Sequence, residues 1–322
     1  MVEHEVCEVC SNSDGNVTHV AREMMFGFRD QFEYLECGRC GCLQLKNVPT
    51  NLSRYYPSDY YSFSQTTPPP AGRIGTTLRR MRSELTLRGT PRLARLVFRQ
   101  EAEPVWLSWL RGHVTTRSRI LDVGCGAGHL LLELRKQGFR SLTGADAFIP
   151  DTIRYANGVT IQKRRLEELS GTFDFIMLHH SFEHMPRPLE VLEQIFQLLA
   201  RGGTVLLRIP LADSLAWRTY RTDWVQLDPP RHLFLHTKTS IGVLASRSGF
   251  TITAVRHDGS AFQFWGSELY ARDIPLRSPR SYAENPAASI FSPAQIADFD
   301  HRAGELNKVG EGDQAGFVLR RA

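Results

Sequence analysis

The chain has 322 residues, of which 42% are hydrophobic and 23% charged, a composition that excludes disorder, collagen and coiled coil as the main state. This length suits one large domain and a smaller one. Lysine and arginine total 39 and aspartate and glutamate 34, so the net charge is +5. Residues 72–99 hold eight arginines and one glutamate, a local charge of +7. The remainder of the chain is slightly acidic, and the basic character is confined to one segment.

Six cysteines are present, and four of them form two C-x-x-C pairs separated by 26 residues. The pairs are Cys7 with Cys10 and Cys37 with Cys40. Each pair can place two sulfurs at corners of a tetrahedron, which predicts a structural zinc ion with four thiolate ligands. Cys42 is a second candidate for the position of Cys40. A redox pair, an iron–sulfur cluster and a metal-free knuckle are the alternatives.

The N-terminus has neither the basic start nor the apolar core of a signal peptide. No apolar run reaches the roughly 18 residues that a membrane-spanning helix needs. These features predict a cytoplasmic chain without a membrane span.

Three segments follow one another along the chain. Residues 1–63 are rich in cysteine and aromatic residues and are predicted to form a zinc-binding lobe. Residues 64–104 begin with a proline-rich linker and continue as a basic, amphipathic helix, because apolar residues recur there at a helical spacing. These apolar residues are Ile74, Leu78, Met81 and Leu85.

From residue 105 to residue 322 short apolar runs alternate with helical patterns, which is typical of a parallel α/β sheet. We expect a Rossmann-like, seven-stranded, mostly parallel sheet with helices on both faces. The predicted strands are residues 120–123, 141–145, 159–162, 173–178, 204–209, 250–255 and an antiparallel 316–319. Thr237 is predicted to cap a helix that ends at Gly249.

A glycine-rich turn follows the first of these strands. Its glycines are spaced G-x-G-x-G, which differs from the G-x-G-x-x-G of dinucleotide-binding proteins. Together with Asp122 before the turn and Asp146 at the end of the next strand, the run 121–128 resembles motif I of class I S-adenosylmethionine-dependent methyltransferases. A ligand-free turn and an NAD-type oxidoreductase are the alternatives.

That resemblance implies S-adenosylmethionine as cofactor. It implies that Asp146 accepts the ribose hydroxyls, that the glycines approach the methionine part, and that Asp122 orients the loop. Where many relatives have an acid, this chain has Arg165, so adenine recognition falls to Leu166 and Glu167. The full set of candidate cofactor-binding residues is Asp122, Gly124, Cys125, Gly126, Gly128, Asp146, Ala147, Leu166, Glu167 and His179.

Two further segments extend the resemblance. Residues 173–184 are similar to the fourth strand and Glu-His signature of the family, and residues 224–233 to the Pro-x-His-Leu segment of bacterial methyltransferases that act on sugars. The resemblance makes His232 the first candidate for a general base and His180 the second, with Asp228 orienting a histidine. Glu183 and His184 are candidates for holding the loop.

The cysteine-rich lobe resembles the zinc-binding unit of bacterial sugar and surface-polysaccharide methyltransferases. The leading hypothesis is methyl transfer to a hydroxyl or carbon of a sugar in nucleotide-sugar, glycan or surface-polysaccharide biosynthesis. An O-methyltransferase of a quinone or other aromatic molecule is the alternative. A non-catalytic zinc-ribbon scaffold or nucleic-acid binder comes third, because residues 1–63 carry more acidic than basic side chains.

The basic segment leads to an expectation about partners. A basic amphipathic helix over residues 72–99 could contact an anionic membrane, where lipid-linked sugar acceptors reside, or contact nucleotide diphosphates. The alternative is a helix whose apolar stripe packs on the catalytic domain. We expect no nucleic-acid partner.

Overall fold

A computed structural model describes residues 5–57, 73–89 and 107–322. The strands of these residues are β1 (Val17–Arg22), β2 (Gln31–Glu36), β3 (Leu43–Leu45), β4 (Arg119–Val123), β5 (Ser141–Ala145), β6 (Ile153–Arg154), β7 (Thr160–Gln162), β8 (Phe173–His179), β9 (Leu199–Pro210), β10 (Phe234–Leu235), β11 (Phe250–His257) and β12 (Gln314–Arg321). The α-helices are α1 (Arg73–Leu87), α2 (Leu107–Leu110), α3 (His129–Lys136), α4 (Pro188–Leu198), α5 (Leu215–Tyr220), α6 (Lys238–Arg247), α7 (Phe262–Ala271) and α8 (Pro293–Val309).

The described residues form two compact units, which the chain enters more than once. The first unit comprises residues 5–57, 180–192 and 208–318, and the second comprises residues 73–89, 107–179, 193–207 and 319–322. Strands β9 and β12 contribute residues to both units. The predicted serial division at residues 63 and 104 stays a prediction.

The first unit contains a small sheet in the order β1-β2-β3-β10. Its neighbouring strands are antiparallel, with Val17 opposite Glu36 and Leu43 opposite Leu235. Strand β10 is nearly 200 residues away from β3 in sequence, so the cysteine-rich segment completes its sheet with a strand from the C-terminal half. In the same unit β11 lies next to β12.

The second unit is built on strands in the order β9-β8-β4-β5-β7-β6. Strand β4 is parallel to β5 and β8, and β5 is parallel to β7. This confirms the predicted α/β fold with a mainly parallel central sheet. The two-residue strand β6 pairs antiparallel with β7. It comes in addition to the seven predicted strands, and it was not predicted because two residues carry no periodic pattern.

Helix α1 forms where the basic segment predicted it, but its buried face differs from the predicted one. Leu78 and Met81 are 47% and 52% exposed, so the apolar stripe does not pack on the domain as a whole. The buried side chains of this helix are Arg82, Ser83, Thr86 and Leu87. The Ser83 hydroxyl donates to the carbonyl of Gln137 at 3.0 Å. Hydrogen bonds of this kind fix the helix by its polar face, which an apolar periodicity cannot reveal.

Two other expectations can be compared with the described residues. Thr237 accepts a hydrogen bond from the backbone N–H of Ser240 at 3.0 Å and caps α6, as predicted.

None of the helices in the described ranges has the length and apolar character to cross a bilayer. Arg92, Arg95 and Arg99 lie outside the described residues.

Candidate active site

The glycine turn between β4 and α3 has a backbone that side chains would strain. Gly124, Gly126 and Gly128 have φ values of 71°, 55° and 81°, all in the left-handed region that favours glycine. A Cβ atom on Gly128 would lie 2.3 Å from Cδ1 of Ile161. The alternation of glycines in the sequence therefore reflects alternate left-handed residues. The N–H groups of Gly124 and Gly128 donate to the carbonyls of Ala145 and Cys125, at 2.8 and 2.9 Å.

Asp146 ties this turn to the end of β5. Its side chain accepts hydrogen bonds from the backbone N–H of Gly126 and of Phe148, both at 2.8 Å. The bond that orients the loop thus comes from Asp146, whereas the sequence assigned this role to Asp122. A carboxylate has about four acceptor positions, so Asp146 retains capacity for two ligand hydroxyls.

Burial shifts the pKa of two titratable groups beside Asp146. Burial, followed by the nearby charge of Asp146, raises the pKa of Asp122 well above its usual range. Burial also raises the pKa of the Cys125 thiol, with Asp122 and Asp146 adding to the effect. Asp122 and Cys125 are therefore stabilised in their neutral forms.

The remaining predicted cofactor residues lie in the same unit. Ala147 directly follows Asp146, and His179 ends β8. Leu166 and Glu167 belong to a short 3-10 turn, where the Glu167 side chain is half-exposed and lies 3.8 Å from the Arg165 guanidinium. Their roles toward a ligand stay predictions.

The first unit brings together three histidines and a glutamate, here called the histidine cluster: His180, Glu183, His184 and His232. One donor atom each of Glu183, His184 and His232 lies within 4.8 Å of the other two. Glu183 is fully buried, and His180 Nδ1 lies 3.4 Å from its Oε1. The His184 and His232 rings meet edge to face, with centroids 4.7 Å apart. The sequence predicted His232 and His180 as candidate bases and Glu183 and His184 as residues that hold the loop, and the fold makes the four neighbours.

Backbone carbonyls fix the two central imidazoles. His232 Nδ1 lies 2.7 Å from the carbonyl oxygen of Gln226, and His184 Nδ1 lies 2.8 Å from that of Arg231. A carbonyl can only accept, so each Nδ1 carries the proton and each Nε2 keeps its lone pair. The Nε2 of His180 instead accepts from Arg208 at 2.7 Å, which makes His180 the weaker candidate base.

The charges of the cluster follow from burial. Burial lowers the pKa of His232 to about 4, with His184 acting in the same direction. His232 is therefore neutral at pH 7. Burial opposes ionisation of Glu183, but the surrounding histidines outweigh it and lower the pKa of Glu183 to about 2. The cluster thus combines a carboxylate with a neutral imidazole.

A buried ion triad next to the cluster was not predicted; we call it the Arg231 triad, formed by Glu23, Asp228 and Arg231. The Arg231 side chain is fully buried and donates to Glu23 at 2.9 Å and to Asp228 at 2.5 and 2.9 Å. Asp228 Oδ2 lies 4.0 Å from His232 Nε2. The main partner of Asp228 is therefore Arg231, and the predicted role in orienting a histidine falls to the Gln226 carbonyl.

The cysteine-rich segment also contacts the loop that carries His232. The buried Tyr34 hydroxyl donates to the carbonyl of His232 at 2.7 Å, and the Leu45 N–H donates to the carbonyl of Leu233 at 2.8 Å. The Tyr56 hydroxyl lies 3.2 Å from His184 Nδ1. These partners are more than 125 residues apart in sequence, so no local motif could have indicated them.

Four cysteine sulfurs converge in the same unit. Cys7 Sγ lies 3.6 Å from Cys40 Sγ, and Cys10 Sγ lies 3.5 Å from Cys37 Sγ. All four sulfurs are within 4.8 Å of one another. Sulfurs bound tetrahedrally at about 2.3 Å from one zinc ion are about 3.8 Å apart, so the four predicted ligands fit such an ion.

Cys42 is not a member of this group. Its buried sulfur lies 3.7 Å from His236 Nδ1 and 3.6 Å from the carbonyl of Leu43. The sequence allowed Cys42 to replace Cys40, and the fold brings Cys40 to the other sulfurs instead.

The parallel sheet, the glycine turn and the acid that ends β5 define a class I S-adenosylmethionine-dependent methyltransferase. A family model described as a methyltransferase domain matches residues 79–255, more than half of the chain. The protein belongs to this family of methyltransferase domains.

Curated relatives match a shorter part of the chain. The ubiquinone biosynthesis O-methyltransferase of Nitrosococcus oceani is 33% identical over 117 residues, covering 33% of this chain and 49% of the relative. The protein of the same name from Psychrobacter cryohalolentis is 28% identical over 138 residues, covering 33% of this chain and 52% of the relative. The chain therefore spans about half the length of these relatives.

Solved structures show similarity at low sequence identity. An S-adenosylmethionine-dependent methyltransferase from Mesorhizobium loti has 20% identity and a TM-score of 0.40, covering 67% of this chain and 97% of that one. A mycolic acid cyclopropane synthase complexed with S-adenosylhomocysteine has 17% identity and a TM-score of 0.41, covering 64% and 78%.

Proposed function

We propose that the protein transfers a methyl group from S-adenosylmethionine to a hydroxyl or carbon of a sugar, in nucleotide-sugar, glycan or surface-polysaccharide biosynthesis. The observation that carries this proposal is the histidine cluster, a buried carboxylate beside imidazoles with open Nε2 lone pairs. Methylation of a hydroxyl releases a proton, and such a group can accept it or hold the acceptor oxygen. The polar character of the cluster suits an acceptor rich in hydroxyls.

On the donor side the chain's own residues bind and orient. S-adenosylmethionine, when bound, supplies an electrophilic methyl group on a sulfonium. We propose that Asp146 accepts from the two ribose hydroxyls, since it has acceptor capacity beyond its two backbone bonds. The glycines of the turn, which have no side chains, then allow the backbone to approach the methionine part. Burial raises the pKa of Asp122 and of Cys125 and so favours their neutral forms.

We further propose that the four converging cysteines hold a structural zinc ion. Four sulfur ligands leave no open position for chemistry. Because the same segment supplies β3, which pairs with β10 directly after His232 and Leu233, the ion would stabilise the loop that carries the candidate base.

Replacing Cys37 by serine is expected to remove the tightly bound zinc, because one of four thiolate ligands is lost. Elemental analysis after extensive dialysis would measure the zinc content per chain. Cys42→Ser is the matched control, since Cys42 is a buried cysteine outside the group, and this variant should keep one zinc per chain. Equal zinc content in both variants would contradict the ligand set.

A second candidate function is O-methylation of a quinone precursor or other aromatic molecule. The similarity to ubiquinone biosynthesis O-methyltransferases favours this second candidate, at 27–33% identity over about half of their length. Their similarity covers a third of this chain.

Release of S-adenosylhomocysteine with two acceptor panels tests the proposal. One panel holds nucleotide-linked sugars and the other holds dihydroxylated aromatic compounds. Turnover with sugars and none with aromatics is the expected result. Turnover restricted to the aromatic panel would favour the second candidate, and absence of heat on mixing with S-adenosylmethionine would favour the non-catalytic scaffold.

As a partner we propose an anionic membrane surface, contacted through the outward face of α1. Leu78 and Met81 are half-exposed on α1. The same helix carries Arg79 and Arg80, and Arg88 directly follows its last residue. Each arginine near an anionic surface contributes roughly 1 kcal/mol, and salt screens this attraction. A lipid-linked sugar acceptor would be presented at the same surface.

The double variant Leu78→Ser, Met81→Ser is expected to lower binding to vesicles that contain anionic lipid, because exposed apolar side chains insert into the interface. Co-sedimentation at low and high salt would measure it. Val20→Ser is a control, since Val20 is 50% exposed on β1 and the arginine of that strand, Arg22, pairs with Asp273 at 2.9 Å. An absence of binding at low salt, or equal binding by all three proteins, would contradict the proposal.

A further inference from the structure

Glu183 is a buried carboxylate that lacks the hydrogen bonds its burial demands. Its side chain is fully buried, and neither of its oxygens has a hydrogen-bond partner among the described residues. His180 is near, at 3.4 Å, but outside hydrogen-bond geometry. A buried carboxylate without partners is costly unless it is paired with a cation or coordinates a metal.

His184 and His232 are arranged as metal-ligating histidines usually are. Each donates its Nδ1 hydrogen to a backbone carbonyl, at 2.8 and 2.7 Å. This outer hydrogen bond fixes the tautomer and leaves Nε2 as the ligand atom, the arrangement seen around histidines that bind metals. The lengths of both bonds are those of well-formed hydrogen bonds.

We propose that Glu183, His184 and His232 bind one divalent transition-metal cation, at a site separate from the four cysteines. Two imidazoles and one carboxylate are a ligand set for Zn²⁺, Fe²⁺ or Co²⁺, and three protein ligands leave coordination positions open. One nitrogen of each ring and an oxygen of Glu183, now within 4.8 Å of one another, would approach to about 3.4 Å around a tetrahedral ion with bonds of about 2.1 Å. Side-chain rotations that move the ligand atoms by about an ångström would bring them to this distance.

The role of such a cation rests on the proposed function, although its binding does not. An open position would take the acceptor oxygen, and the cation would lower the pKa of the bound hydroxyl. The hydroxyl proton would leave to solvent or a base, the oxygen would attack the methyl carbon, and the carbon–sulfur bond would break to release S-adenosylhomocysteine. His232 would serve as a ligand in this arrangement and would not itself receive the proton.

Cobalt binding to the full-length protein tests the proposal without any substrate. With zinc retained at the cysteines, Co²⁺ at the histidine cluster should give weak d–d bands without the intense thiolate charge-transfer band that cobalt at the cysteines would give. One Co²⁺ per chain is expected. Glu183→Gln should weaken the affinity by at least the roughly 10- to 100-fold that loss of an outer partner costs. His184→Gln removes a less buried ligand and should also weaken cobalt binding. It tests the proposal even if Glu183→Gln fails to fold.

His19→Ala is the matched control, because His19 pairs with Glu36 at 2.7 Å elsewhere in the same unit. It should bind Co²⁺ as the wild type does. Equal cobalt affinity in the wild type and both cluster variants, or charge-transfer bands alone, would overturn the proposal. If methyl transfer persists in a protein that binds no Co²⁺ at the histidine cluster, the metal proposal fails and the proposed function stands. The failure of one proposal can therefore be distinguished from the failure of the other.

Discussion

Replacing Arg231 by methionine is expected to lower the free energy of unfolding by about 3–5 kcal/mol, the usual cost of removing one partner from a buried ion pair. The cost arises because two carboxylates lose their cation. Glu23 is fully buried, and its oxygens also accept from the backbone N–H groups of Phe26 and Phe28 at 3.0 and 2.9 Å. These bonds keep Glu23 in place, so it cannot turn to solvent. Urea unfolding would measure the change.

Arg187→Met serves as the control for this prediction. Arg187 pairs with Glu190 at 2.8 Å, but both side chains are more than half exposed, and exposed pairs contribute about 0–1 kcal/mol. A loss below about 1 kcal/mol in the Arg231 variant would mean that water reaches the carboxylates. Glu23→Gln removes one of the two carboxylate charges and keeps the shape of the side chain. It should also lower the free energy of unfolding.

The stability loss in Arg231→Met is expected to depend on pH. Burial opposes ionisation of Asp228, and Arg231 more than compensates, so the pKa of Asp228 is lowered. A carboxyl group with a lowered pKa contributes stability above its unfolded pKa of about 3.9, and this contribution is lost as the pH falls through the folded value. The stability difference between wild type and Arg231→Met should therefore narrow below about pH 4.

His232→Ala is expected to reduce turnover by roughly 10²- to 10⁴-fold, the range for loss of a general acid or base, while binding of S-adenosylmethionine is unchanged. The neutral Nε2 of His232 is needed whether it accepts the proton or holds a cation. Calorimetry with the donor and release of S-adenosylhomocysteine would measure the two effects. Asp146→Ala is the contrasting variant and should weaken donor binding. Normal turnover in His232→Ala would remove His232 from the site.

The pH profile adds a second readout for His232. Because its deprotonated form is the active one, turnover should fall as the pH drops through the pKa of His232. Burial lowers that pKa to about 4, so this acidic limb should lie well below the 6.5 or so of a free histidine. An inflection near 6.5 that disappears in His232→Ala would indicate an exposed imidazole instead.

The donor side of the site could be predicted because its signals are local. Strand β4, the glycine turn and the start of α3 follow one another within residues 119–136. Each glycine spacing corresponds to a left-handed backbone residue, and Asp146 ends the next strand. Parallel strands place their carboxyl ends at one edge of the sheet, so chain order alone brings these residues together.

The histidine cluster could not be predicted in the same way. His184 and His232 were found by motif, but their shared position beside Glu183 depends on contacts between segments about 50 residues apart. The Arg231 triad joins residues 208 positions apart, and neither Glu23 nor Arg231 differs in sequence from an ordinary surface residue. Their burial became evident only from the fold.

The sequence by itself determined the fold class, the glycine turn with Asp146, the four cysteines and the basic segment, since periodicity and close spacing record local backbone geometry. Tertiary structure decided the rest. It excluded Cys42 from the sulfur group, turned Leu78 and Met81 to the outside of α1, and assembled the histidine cluster beside the Arg231 triad. These outcomes depend on which distant surfaces bury each other, because packing and desolvation act between segments that no local pattern connects.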